Sequence, residues 1–177
     1  MTRRLFYAIE FPEPVRRQVA AAGRQLAAVA RQGRWTHPDN LHLTLQFLGD
    51  CPDEWMTGLL AILQSAAAGC RPFSLKIIGC GTFGRSGDIL WLGVQAGPAL
   101  SQLADSLASQ LRAKGLPCED RPYSPHITIG RQVRIDPAGL RAWTGPAIEL
   151  TVNQVSLMES TRIDGRLTYL PVKRVLF

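Results

Sequence analysis

Cysteine, histidine, lysine and long apolar runs are all scarce in this chain of 177 residues. The four cysteines, Cys51, Cys70, Cys80 and Cys118, are scattered without a C-x-x-C pair. That usage predicts reduced, mostly buried thiols rather than a disulfide framework. The first apolar run, residues 5–9, is closed by Glu10 and is too short for a signal-peptide core. No stretch approaches the roughly 18 apolar residues of a membrane span, so no membrane partner and a cytoplasmic location are expected. No C-x-x-C pair is present, His37 and His42 lie five apart but with Pro38 arguing against one helical face, and no carboxylate cluster suits a metal, so neither metal nor cofactor is expected. A Walker A loop and a G-x-G-x-x-G turn are both missing, which removes the common nucleotide cradles.

What is present bounds the rest. Hydrophobic residues make up 46% of the chain and charged residues 19%, enough apolar material for a packed core. The length suits one domain over residues 1–177, or two small lobes sharing a cleft, and no Gly/Ser or Pro-rich linker divides it. The net charge of +6 favours an anionic partner such as a nucleotide, RNA or phosphate ester. Only three of the 20 basic residues are Lys. The other 17 are Arg, whose forked guanidinium suits phosphate. Residues 1–88 and 89–177 each carry ten basic and seven acidic residues, so no basic tail stands apart from the fold.

Apolar periodicity predicts a mixture of elements. Residues 4–11 read as a buried strand bounded by Pro12 and Pro14. Val15, Val19, Ala22, Leu26 and Val29 recur at helical steps. After the polar turn at His37, residues 41–48 alternate apolar and polar as a half-wet strand does, with Phe47 sharing the parity of Leu43 and Leu45 and therefore assigned to the core. His37 itself reads as a surface residue, and Trp35 either borders a cleft or covers the first helix. Pro52 opens a helix to about residue 68, with Met56, Leu59, Leu60 and Leu63 as its buried side. Strands are expected near 73–80 and 89–94, joined by a loop at Gly79, Gly81, Gly84 and Gly87. Leu100, Leu103, Leu107 and Leu111 form the stripe of a third helix, ended by Gly115 and Pro117. Further strands fall at 125–130, 148–152, 155–159 and 166–170, with a hairpin signal at Asp164-Gly165. Strands and helices mixed without strict alternation indicate an α+β fold with mostly antiparallel sheet.

Two of the three histidines lie in one repeated pattern: His42-Leu43-Thr44-Leu45 and His126-Ile127-Thr128-Ile129, 84 residues apart. At a Thr frequency of about 6%, two of three histidines acquire Thr at i+2 in roughly 1% of such chains. On a strand, i and i+2 share a face, so each His projects beside its Thr while the aliphatics enter the core. Two such strands lining a cleft present two imidazoles for in-line chemistry at phosphorus. One, neutral, takes a proton from the attacking group, and the other, protonated, gives one to the departing oxygen. The Thr hydroxyls and a nearby Arg can hold the non-bridging oxygens.

These motifs and their surroundings resemble the two-histidine (2H) phosphoesterase superfamily, and within it the bacterial and archaeal RNA 2′,3′-cyclic phosphodiesterases, historically called 2′-5′ RNA ligases. The resemblance spans nearly the whole chain. It rests on residues 4–9, 40–49, 90–93, 121–131 and 169–173. It implies a bilobal α+β fold, two pseudo-symmetric lobes each with an antiparallel sheet and helices around a central cleft. It also implies metal-independent hydrolysis of RNA 2′,3′-cyclic phosphate ends, by a monomer, to 2′-phosphomonoesters. By position His42 is the proton donor, His126 the proton acceptor, and Thr44 and Thr128 hold the phosphate. Arg131, five after His126, would bind phosphate. Strict alternation turns Arg131 away from the cleft, and a bulge at Gly130 would return it. Tyr123 is a candidate to stack on a base. The alternatives are ligation of tRNA halves, a small cyclic nucleotide substrate, and RNA-end binding without turnover.

Overall fold

The computed structural model describes all residues, 1–177. β1 (Thr2–Glu10) is buried on both faces, Leu5, Tyr7 and Ile9 entering the main core and Phe6 and Ala8 the opposite side. Pro12 and Pro14 open α1 (Glu13–Val29) where a missing N–H costs nothing, and Val15, Val19, Ala22 and Leu26 form its buried stripe. Val29, expected on that stripe, is 51% exposed, because the helix ends there and the chain turns extended at Ala30. The next residues form β2 (Ala30–Trp35), a short polar strand with no apolar alternation to announce it.

A single 3-10 turn at Pro38–Asn40 leads into β3 (His42–Pro52). Next comes α2 (Met56–Ala68), whose buried side is Leu59, Ile62, Leu63, Ala66 and Ala67, with Met56 and Leu60 at its margin. β4 (Phe73–Phe83) is longer than the expected strand and takes in Gly79 and Gly81, leaving Gly84 and Gly87 for the loop. β5 (Ile89–Gln95) and α3 (Pro98–Ala113) follow, and the leucine stripe of α3 is buried as the sequence predicts. The chain closes with β6 (His126–Ile135), a short α4 (Pro137–Ala142), β7 (Ile148–Val152), β8 (Gln154–Ile163) and β9 (Arg166–Leu176).

The nine strands form two antiparallel sheets, ordered β3-β1-β8-β9 and β2-β6-β5-β4-β7. Aligning the two histidine strands exposes an internal repeat: β3-β1-β8-β9 corresponds to β6-β5-β4-β7, and β2 is an addition outside β6. The bilobal antiparallel fold inferred from the sequence is thus present, with this extra edge strand breaking its symmetry. One apolar core of 35 buried residues joins both sheets and the three long helices. A smaller cluster of Phe6, Ala8 and Met158 lies on the opposite face of the first sheet. No helix is long and apolar enough to cross a membrane.

Candidate active site

The site is built by register. Glu10, Ala8 and Phe6 on β1 lie opposite His42, Thr44 and Phe47 on β3. Gly93, Trp91 and Ile89 on β5 lie opposite His126, Thr128 and Arg131 on β6. In both pairs the partner strand advances by two residues where the histidine strand advances by three. Each histidine strand therefore carries a bulge one residue after its Thr, at Leu45 and at Ile129. The bulge reverses side-chain parity beyond it. Arg131 consequently returns to the face of His126 and Thr128, which resolves the parity conflict the sequence poses. Phe47 undergoes the same reversal. It leaves the core, is 37% exposed, and lies 4.9 Å beneath the Arg4 guanidinium, while Gln46 turns inward in its place. The core assignment of Phe47 is corrected by this extra residue.

Each imidazole is fixed in the same way. His42 Nδ1–H donates to the Asn40 carbonyl at 2.7 Å, and His126 Nδ1–H donates to the Ser124 carbonyl at 2.7 Å. A carbonyl only accepts, so both neutral rings carry the proton on Nδ1 and present Nε2 as the reactive atom. His42 Nε2 lies 2.8 Å from Thr44 Oγ1, whose hydroxyl donates to it. His42 packs against Phe6 and edge-on against Tyr169, with ring centroids 4.9 and 5.1 Å away. Phe83 meets His126 edge-on at 4.8 Å and also touches Trp91. Trp91 lies flat over Gly81, where any side chain would collide with its ring.

The charges of the second half act on the first. Burial pushes the His42 pKa below its ordinary value, and the nearby His126 and Arg131 push the same way. The Asn40 carbonyl and the Glu10 carboxylate oppose them. Burial would raise Glu10, but hydrogen bonds from Arg174, at 2.8 Å to each oxygen, and from Ser156, at 2.6 Å, outweigh it and hold the carboxyl low. Glu10 is therefore a fixed anion beside His42. No three His, Cys, Asp or Glu side chains converge as a metal site.

The other residues singled out by the sequence separate here. Arg131 is exposed on the cleft face. Tyr123 is partly buried, and its hydroxyl donates to the Thr44 carbonyl at 3.1 Å, tying the approach to β6 onto β3. Burial also raises its pKa. Trp35 packs over Gly33, Gly130 and Val133, on the side opposite Arg131. Sequence reasoning misses Glu10, Phe83 and Tyr169 as neighbours of the histidines. Glu10 shares parity with Phe6 and Ala8, the only signal that places it on this face. The side chain of Asn40 is missed too: its amide donates to the Leu167 carbonyl at 2.9 Å and accepts from Tyr169 N–H at 3.2 Å, anchoring β9 beside His42.

Two antiparallel sheets, each delivering a His and a Thr from a bulged strand, define the architecture of a two-histidine phosphoesterase. The chain belongs to the 2′-5′ RNA ligase superfamily, whose family profile matches residues 11–164. An RNA 2′,3′-cyclic phosphodiesterase from Escherichia coli (strain K12) is 36% identical, the match covering 97% of this chain and 95% of that protein. A relative of the same name from Geobacillus stearothermophilus is 34% identical, but the match spans 70% of this chain and only 41% of that protein. Among solved structures, E. coli LigT complexed with 3′-AMP superposes with a TM-score of 0.80 at 32% identity, covering 99% of this chain and 98% of that one. The MHV ns2 PDE domain, 13% identical with a TM-score of 0.61, shares the fold.

Proposed function

We propose that the chain hydrolyses RNA 2′,3′-cyclic phosphate ends to 2′-phosphomonoesters, without a metal, through His42 and His126. The observation that carries the reading is the matched pair of imidazoles, each with Nδ1 spent on the carbonyl two residues before it and Nε2 left for chemistry. His126 Nε2 takes a proton from water as its oxygen attacks phosphorus. The bond from phosphorus to the ribose 3′ oxygen breaks in line, and protonated His42 supplies the proton that oxygen needs. Thr44 and Thr128 hydroxyls, with Arg131, hold the non-bridging oxygens as their charge grows. His42 suits the donor role once substrate is bound: burial and then the charges across the cleft lower its pKa in the free site, and the phosphate anion beside it favours the protonated ring. The names of the relatives and the nucleotide complex of LigT support the substrate class.

The test is turnover of a nucleoside 2′,3′-cyclic phosphate with EDTA present. His42→Ala and His126→Ala should each lose about 10²–10⁴-fold. Thr44→Ala and Thr128→Ala should each lose about 10–1,000-fold. Wild-type rates in both histidine variants would sink the mechanism. Locating the product phosphate on the 2′ oxygen fixes the direction of cleavage, and adding a 5′-hydroxyl RNA separates hydrolysis from ligation.

A further inference from the structure

The strand that breaks the internal repeat is also the strand that brings arginine. Arg34 on β2 lies directly opposite Arg131, and Gln32 lies opposite Arg134. Gln32 and Arg34 are two apart on one strand, so both pairs project from the same face. Ile89, the other partner of Arg131, fixes that face as the one bearing Thr128 and His126. Between Arg131 and Arg134 the chain carries one extra residue, Gln132, in the left-handed region at φ 53°. That second bulge is what keeps Arg134 in line with Arg131.

The strip ends in a groove of about 860 Å³ lined by Arg31, Gln32, Ser86, Gln132 and Arg134 among others. Arg31, Arg34, Arg131 and Arg134 are all exposed, and none takes part in an ion pair. Two acids also line the groove, and one of them, Asp136, already caps α4 through Ala138 N–H. Four unpaired guanidinium groups leading away from a reacting phosphate are free to pair with the phosphates of a polyanion. Same-face positions on a strand are about 6.6–6.8 Å apart, comparable with successive phosphates of an extended single strand.

We infer that this strip and groove hold the two or three nucleotides on the 5′ side of the reacting end, making the preferred substrate an oligonucleotide rather than a mononucleotide. The inference rests on the phosphodiesterase reading. A terminal 2′,3′-cyclic phosphate has RNA on one side only, and one arginine path leaves the site through Arg131 and β2. The flank is gripped by its phosphates, so recognition is indifferent to base sequence.

The experiment compares kcat/KM on a 2′,3′-cyclic mononucleotide with that on a single-stranded tetranucleotide ending in the same group, for wild type and Arg31→Ala/Arg134→Ala. The wild type should favour the tetranucleotide about tenfold or more. The double variant should lose most of that preference, with mononucleotide kcat/KM changed by less than about twofold. The salt slope on the tetranucleotide should fall by about 1.4, at about 0.7 for each single-strand phosphate no longer neutralised. No preference in wild type, or an undiminished one in the double variant, overturns the inference while mononucleotide turnover leaves the phosphodiesterase reading intact. Fluorescence anisotropy with a labelled tetranucleotide ending in a 2′-phosphate tests the strip independently of turnover. About tenfold weaker binding by the double variant is expected, and equal binding overturns the strip.

Discussion

At the residue scale, the working part of each histidine is set by its neighbours. The Asn40 and Ser124 carbonyls choose the tautomer, and for His42 the surroundings also set the charge. Burial, then His126 and Arg131, disfavour the cation, against the pull of Asn40 and Glu10. The pKa of His42 in the free protein should thus lie below 6.5, so the ring is neutral at pH 7. Saturating inorganic phosphate should raise it, because the bound anion compensates the opposing charges. Glu10→Gln should lower it further, since the substitution removes a fixed anion and frees the positive charge of Arg174. Proton NMR titration of the His42 ring measures all three. A pKa in the free wild type above 6.5, or one unmoved by phosphate, would refute the electrostatic account of the site.

At the element scale, the bulges decide what reaches the cleft. Without the extra residue at Ile129, Arg131 would share the face of Ile127 and lie in the core layer, where an unpaired guanidinium is expensive. The motif histidines and threonines are legible in the sequence because the i, i+2 pattern ends before each bulge begins. Phe47 is misread and Arg131 stays ambiguous because a bulge changes parity without changing composition. The polar strand β2 escapes notice for a related reason: as the edge strand beside β6 it has almost no apolar face to betray it. The helices, by contrast, announce themselves through apolar steps of three and four, and their stripes are buried nearly as read. Asn40 shows how a turn and a distant strand are joined. Asn40→Ala leaves the Leu167 carbonyl and Tyr169 N–H without their partner, at a cost of about 1–3 kcal/mol. Thermal unfolding should move down by roughly 2–12 °C, and loosened packing of Tyr169 on His42 should slow turnover. An unchanged melting temperature would mean that β9 is held by its ladder to β8 alone.

At the scale of the whole molecule, two lobes meet at the chemistry, yet they do not have separate interiors. Leu5, Tyr7 and Leu43 of the first sheet share one apolar cluster with Leu90, Ile127 and Val133 of the second. Tyr7 O–H donates to the Leu59 carbonyl at 2.7 Å, fastening α2 to β1 inside that cluster. Tyr123, in the approach to the second histidine strand, reaches the first through its bond to the Thr44 carbonyl. A shared core makes opening one lobe expensive for the other, so unfolding should be a single transition with equal calorimetric and van't Hoff enthalpies. Tyr123→Phe removes one bond between the lobes and should cost about 1 kcal/mol. Because the core is common, that cost should shift the whole transition rather than split it. Scanning calorimetry of wild type and Tyr123→Phe distinguishes the cases. Two resolved transitions in either protein would mean that the lobes are held together by the site and not by the core beneath it. A single displaced transition would mean that the two lobes fold as one cooperative unit on the core they share.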